Sequence, residues 1–172
     1  MLKLVGAFLV VTASGLSGLS VARNYRRRPR ELRSLRAALQ MLETEISYGT
    51  TFLPEALQQV SARCERTTAA LFSGAAAELS TMSGLTAAEA WDRALRKYYP
   101  GTALKPGDLA VLQRFGASLG ISDREDQIKH LHLVMEQIDA ETADAENESA
   151  RNVKLWSYLG FIGGILVVLL LC

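Results

Sequence analysis

A chain of 172 residues with a formal net charge of +1, 49% hydrophobic and 22% charged, has the length of one domain with little room for a second. That charge fraction and core-forming content exclude a disordered chain, and two cysteines, Cys64 and Cys172, cannot make a disulfide framework. The near-neutral balance argues against a nucleic-acid partner, whose binder would be basic over a whole face, while a mean hydropathy of +0.11 directs attention to where the apolar residues sit.

The first predicted element is Leu4 to Ala22, 19 residues without a charge. A helix crosses the hydrocarbon core with about 20 mainly apolar residues, so this run qualifies as a span. Thr12, Ser14, Gly15, Ser17, Gly18 and Ser20 dilute it, and Ser20 and Ala22 would suit the −3 and −1 positions of a cleaved signal peptide. Only Lys3 precedes the run, whereas Arg23, Arg26, Arg27, Arg28 and Arg30 follow it. Arginines there resist translocation and favour an uncleaved span; they also face the anionic lipid of the inner leaflet.

Pro29 is expected to interrupt any helix continuing from that span, because proline has no N–H to donate. From Arg30 the apolar residues Leu32, Leu35, Leu39, Leu42 and Ile46 step by three and four, which draws one stripe down a helix that Gly49 ends. A short helix follows from about Phe52 to Cys64, with Pro54 in its first turn. Thr67 to Met82 is Ala-rich and helical, closed by Ser83–Gly84. Thr86 and Glu89 form a capping box ahead of Ala90, Trp91, Ala94 and Leu95, and Tyr99–Pro100–Gly101 stops that helix. Pro106 opens another, carrying Leu109, Leu112, Phe115 and Leu119, with Gly120 at the C′ position. Ser122 and Glu125 make a second capping box. From Asp123 there is no Pro or Gly before Gly160, so the last helix is expected to run unbroken to Leu171.

Leu155 to Cys172 is a second uncharged run of 18 residues, with Trp156 and Tyr158 at its polar end as interfacial aromatics. Gly160, Gly163 and Gly164 give it a small-residue face on which two spans could pack, and Ser14 and Gly18 offer a weaker one on the first run. The expected fold class is therefore all-α. About six helices form an antiparallel bundle over residues 23–154, flanked by transmembrane helices at 4–22 and 155–172. The arginine bias, strengthened by Arg33, Arg36, Arg151 and Lys154, places the bundle in the cytoplasm and both termini outside.

Charge is segregated along this layout. Residues 23–36 hold seven Arg and Glu31, a local charge of +6; residues 123–148 hold nine acids against Arg124 and Lys129, a local charge of −7. Two readings follow. The acids form a solvated face that partly neutralises the arginines across the bundle. Alternatively Glu141, Asp144 and Glu148, spaced by three and four, make an acidic docking face for a basic protein partner. The core seam Ile128, Leu131, Met135, Ile138 continues as Thr142, Ala145, Ser149 and Asn152, where small and polar residues imply close helix approach. No phosphate-binding, zinc-protease or nucleophile-elbow motif is present. His130 and His132 point about 200° apart on a helix, and Glu43/Glu45 and Glu125/Asp126 read as surface charges. No enzyme, cofactor or metal is expected.

Several segments together resemble the stage III sporulation protein AB family of endospore-forming bacteria. They run from Arg28-Pro29-Arg30-Glu31-Leu32, through Leu35, Leu39, Leu42, Glu45-Ile46-Ser47-Tyr48 and Pro54-Glu55-Ala56-Leu57. They resume at Leu119-Gly120-Ile121-Ser122-Asp123 with Gln127, and finish at Asn152-Val153-Lys154-Leu155-Trp156 and Leu159-Gly160…Gly163. The resemblance implies a single copy of the helical domain found in type II secretion F and type IV pilus platform proteins. It further implies a member of a secretion-like channel complex between mother cell and forespore, in the outer forespore membrane on the mother-cell side. A cytoplasmic secretion-type ATPase and other members of the complex would be its partners, and a single-domain chain would be a possible homo-oligomer. At Gly49-Thr50-Thr51-Phe52-Leu53-Pro54 the chain departs from the shorter turn the family leads one to expect. The competing expectation is a two-span sensor with an extracytoplasmic helical domain. Such a receptor needs an output domain, whereas this sequence stops at Cys172 directly after the second run.

Overall fold

In the computed structural model the backbone is described for residues 2–48, 51–81, 84–120 and 124–171, and side chains for 25–48, 51–81, 84–120 and 124–152. Six α-helices and one 3-10 turn account for the regular structure, and there is no strand among the described residues. The chain divides into two units, Arg30–Thr142 and the pair of terminal segments Met1–Pro29 with Ala143–Cys172.

Helix α1 (Leu2–Tyr48) corrects one expectation: Pro29 lies inside it. Proline removes the bond that would reach the carbonyl of Tyr25 and costs about 3 kcal/mol in a helix interior. Downstream burial outweighs that cost. Leu32, Leu35, Leu39 and Leu42 are at most 1% exposed and Ala38 is fully buried, so the expected stripe is core, with Ile46 half-buried at its end. Each buried Leu contributes about 1.5–3 kcal/mol. The helix ends at Tyr48; the expected stop at Gly49 lies outside the described residues.

Helix α2 (Leu53–Arg63) starts after Phe52, with Pro54 in its first turn as expected. It buries Ala56, Leu57 and Val60. Helix α3 (Arg66–Ser80) begins one residue earlier than the sequence reading and buries Leu71, Phe72, Ala75 and Ala76; Met82 and Ser83 lie outside the described residues. Gly74 sits where α3 approaches α4: a Cβ there would lie 3.5 Å from Ala94 Cβ.

Helix α4 (Ala87–Tyr98) starts at the expected capping box. Glu89 N–H donates to Thr86 Oγ1 at 3.2 Å, and Thr86 N–H donates to Glu89 Oε2 at 2.9 Å. The 3-10 turn Tyr99–Gly101 ends it. Helix α5 (Pro106–Ser118) opens on the expected proline, and the buried Asp108 carboxylate accepts from Lys105 N–H at 2.7 Å, holding the N-terminus. Leu119 caps it and Gly120 follows at φ +75°, the left-handed C′ geometry the glycine was expected to supply.

Trp91 organises the core between these helices. It is 1% exposed, donates Nε1–H to the Leu112 carbonyl at 2.9 Å, and makes edge-on contacts with Phe72 and Phe115, ring centroids 5.5 and 5.2 Å away. Helix α6 (Arg124–Leu171) is unbroken, as expected. Leu131, Val134, Met135 and Ile138 are buried, and the seam continues through buried Thr142, whose hydroxyl donates to the Ile138 carbonyl at 2.6 Å. In the terminal unit Ala145 is 2% exposed, so the small residue of the seam is a packed one. Ser122 and Asp123, with the second capping box, lie outside the described residues. Among the described residues no helix is long and apolar enough to cross a membrane. Both expected spans, 4–22 and 155–172, have side chains outside those described.

Candidate functional site

Three polar contacts join α1 to α6 in the Arg30–Thr142 unit. Arg36 Nε lies 3.0 Å from Asp139 Oδ1 and 3.1 Å from Oδ2. His132 Nε2 lies 2.7 Å from Glu43 Oε1, and Arg124 Nη1 donates to the Ser47 carbonyl at 3.4 Å. Residue numbers rise on α1 as they fall on α6, so the two helices run antiparallel here. In the terminal unit, Arg28 Nη1 lies 3.6 Å from Glu148 Oε2, the arginine side chain only 8% exposed.

These pairs bear on the two readings of the acidic helix. Neutralisation across the helices occurs at Arg28 with Glu148 and at Arg36 with Asp139. Of the proposed docking acids, Glu148 and Glu141 are half-buried and Asp144 is exposed. The division between the units falls between Glu141 and Asp144, so the three are not one described surface. Arg26, Arg27 and Arg30 are exposed, while the side chain of Arg23 and those at Gly160, Gly163 and Gly164 lie outside the described residues. Glu43 and Glu45 have separate partners rather than forming an acid–base couple: Glu43 Oε1 meets His132 Nε2, and Glu45 Oε1 is 3.4 Å from Arg63 Nη1. His130 and His132 face different neighbours, α5 and Glu43, as their helical spacing requires.

Sequence reasoning missed two features. One is a buried polar cluster. Glu31, 8% exposed amid the arginine run, accepts from the Ala103 N–H at 2.7 Å. Beside it the Thr68 hydroxyl donates to Ser34 Oγ at 2.7 Å. Tyr98 Oη is buried there, and no hydrogen bond of good geometry reaches it among the described residues, although Thr68 is close. Burial, reinforced by the Glu31 charge, pushes the Tyr98 phenol above the usual tyrosine range. A lone acid inside a basic run was the available signal.

The other is a groove of about 410 Å³ lined by Arg30, Arg33, Ala37, Met41, Arg63 and Cys64, with Ser34 and Glu65 completing it. Arg63 is 33 positions along the chain from Arg30, and only folding brings them together. Cys64 is half-buried, and burial raises its thiol above the ordinary value of 9.0, which disfavours the reactive thiolate. Among the described residues no group of His, Cys, Asp or Glu could hold a metal ion.

Together these define an all-helical protein with an aromatic core, an antiparallel ion-paired helix couple and an arginine-lined groove. The family model described as Stage III sporulation protein AB matches residues 3–172, and the chain belongs to that family. Stage III sporulation protein AB of Bacillus subtilis (strain 168) is 43% identical over 171 residues, covering 99% of each chain. A solved structure of a Stage III sporulation protein AB matches with a TM-score of 0.68 and 41% identity over 72% of this chain and 97% of that one.

Proposed function

We propose that this sporulation protein is a non-enzymatic inner-membrane platform. On this reading residues 4–22 and 155–172 are membrane spans. The bundle faces the mother-cell cytoplasm, and the spans tie it into a secretion-like channel complex in the outer forespore membrane. The observation that carries the reading is the family match across residues 3–172, joined to two uncharged terminal runs and an inward arginine bias. A cytoplasmic secretion-type ATPase is the partner the platform docks, through the acidic face of α6.

The test is co-purification of the full chain with that ATPase from sporulating cells. Recovery with wild type, and several-fold loss with Glu141, Asp144 and Glu148 replaced by Lys, supports the reading. Undiminished recovery with the triple variant removes the acidic face from it. Failure of wild type to recover the ATPase, or other complex members, removes the platform role.

A further inference from the structure

We propose that the groove between α5 and α6 is a docking site for an acidic amphipathic helix of another protein. A Cβ at Gly107 would lie 3.8 Å from Glu141 Oε1, and Arg114 Nη2 donates to Gln137 Oε1 at 3.3 Å. Numbers therefore rise on α5 as they fall on α6, and the two antiparallel helices wall a groove of about 520 Å³. Arg114 and Ala117 line it from α5, His130, Leu133 and Gln137 line it from α6, and the buried Phe115 and Val134 form its floor. Leu133 is 53% exposed, a large apolar side chain left uncovered on the wall. Positions 130, 133 and 137 cover about two helical turns along one face, the length over which a docked helix sets its anchors.

The lining sets the chemistry of the occupant. Both walls are helices whose backbone groups are already bonded, so an extended segment would leave N–H and C=O groups unmet against them, whereas a helix satisfies its own. No carboxylate lines the groove, and Arg114 is the arginine that does. Its bonds within the chain go to neutral acceptors, Gln137 Oε1 and the Ala110 carbonyl at 3.4 Å, so among the described residues its charge has no carboxylate partner. The remaining guanidinium N–H groups can hold an incoming carboxylate, and such a charge-assisted bond is about twice as strong as a neutral one. His130 is exposed and has no hydrogen bond among the described residues. A second copy presenting the same face would set arginine against arginine, so like charge keeps the groove from pairing with itself. An aliphatic side chain against Leu133 and Ala117, with an acid at Arg114, meets both parts of the lining. Glu141, Asp144 and Glu148 do not line this groove, and the inference does not rest on the ATPase reading.

The experiment uses the full chain in nanodiscs of zwitterionic lipid and a fluorescent designed helix of about 18 residues, above the length at which isolated helices are marginal. That peptide carries a stripe of Leu at helical spacing on an Ala-rich frame, with Glu flanking the stripe. Anisotropy is expected to show saturable binding beyond that to empty discs, weakened about tenfold or more when Lys replaces each Glu of the peptide. Leu133→Ala, at an exposed position, weakens binding several-fold. Arg114→Glu reverses the preference, so that the Lys peptide binds better than the Glu peptide, and misfolding cannot supply a gained affinity. No binding of the Glu peptide beyond empty discs, equal binding of the two peptides, or an unreversed preference in Arg114→Glu overturns the proposal.

Photo-cross-linking in sporulating cells tests the occupant itself. A benzophenone amino acid in place of Ala117 is expected to join a segment of another protein that carries acidic and aliphatic residues at helical spacing, identified by mapping the joined peptides. Loss of that product in Arg114→Glu supports the proposal. An adduct only with a second copy of this chain, only with a segment that carries no acid, or with no protein at all overturns it.

Discussion

Gly116 of α5 lies against the indole of Trp91 on α4. A Cβ at position 116 would sit 3.0 Å from both Cγ and Nε1 of that ring and closer still to Cδ1. The indole cannot move aside without giving up its bond to the Leu112 carbonyl and its edge contacts with Phe72 and Phe115.

Gly116→Ala is therefore expected to destabilise the bundle by about 1–3 kcal/mol, the usual cost of overpacking a core, despite alanine's better helix propensity. Gly74→Ala is the matched control. Its Cβ would meet Ala94 Cβ at an ordinary 3.5 Å, so the helix gains about 0.5–1 kcal/mol from the stiffer residue. Urea denaturation followed by circular dichroism separates the two signs. Equal effects would show that the α4–α5 approach is looser than the structure describes.

The buried Tyr98 hydroxyl predicts a substitution that does not harm the fold. Oη lacks a hydrogen-bond partner of good geometry, so Tyr98→Phe removes a desolvation cost and is expected to be neutral or stabilising. Its pKa is raised in the folded state. The unfolded phenol ionises near pH 10 while the folded one stays neutral, so stability is full below about pH 10 and falls as pH rises above it. Thermal melts from pH 8 to 11 should show a shallower alkaline decline in the Phe variant. A clear loss of stability at neutral pH would mean that the hydroxyl has a partner.

Acid acts on different groups. Glu89 is held below the ordinary value of 4.5, first by the Thr86 N–H and then by its hydroxyl, and Glu78 is lowered by its bond to Lys97 at 2.6 Å. Lowered carboxylates contribute stability that is present above about pH 4.5 and is lost as pH falls through their folded values. Glu89→Gln should flatten the melting temperature below that pH, and Thr86→Ala should cost about 1 kcal/mol at neutral pH through the lost cap. An unchanged acid profile in Glu89→Gln would assign the acid lability to other carboxylates.

The parts legible in the sequence were those set by neighbours along the chain. The Thr86–Glu89 box, Pro106 and Gly120 depend on contacts within three or four residues, and the α1 stripe needs only helical spacing. The continuity of α1 through Pro29 was not legible. A lost backbone bond is a local signal, whereas the burial of Leu32, Leu35, Leu39 and Leu42 that outweighs it comes from tertiary packing. The same holds for the groove and for the buried polar cluster. Composition showed an arginine run and an acidic helix, but not that Arg63 joins Arg30 and Arg33, nor that Glu31 turns inward to the Ala103 N–H.

The two α1–α6 ion pairs should differ in weight although both join an arginine to an acid. Arg36 is 40% and Asp139 53% exposed, so water screens the pair and Asp139→Asn is expected to cost no more than about 1 kcal/mol. Arg28 is 8% exposed, so its charge is largely desolvated, and Glu148→Gln is expected to cost about 1–3 kcal/mol more by weakening what compensates it. Because Glu148 is a named docking acid, its effect on stability must be separated from any effect on binding. A variant that loses both at once reports folding. One that keeps its denaturation midpoint and loses the partner reports docking. If Asp139→Asn proves the costlier change, the desolvation argument fails and Arg28 is sustained by other partners.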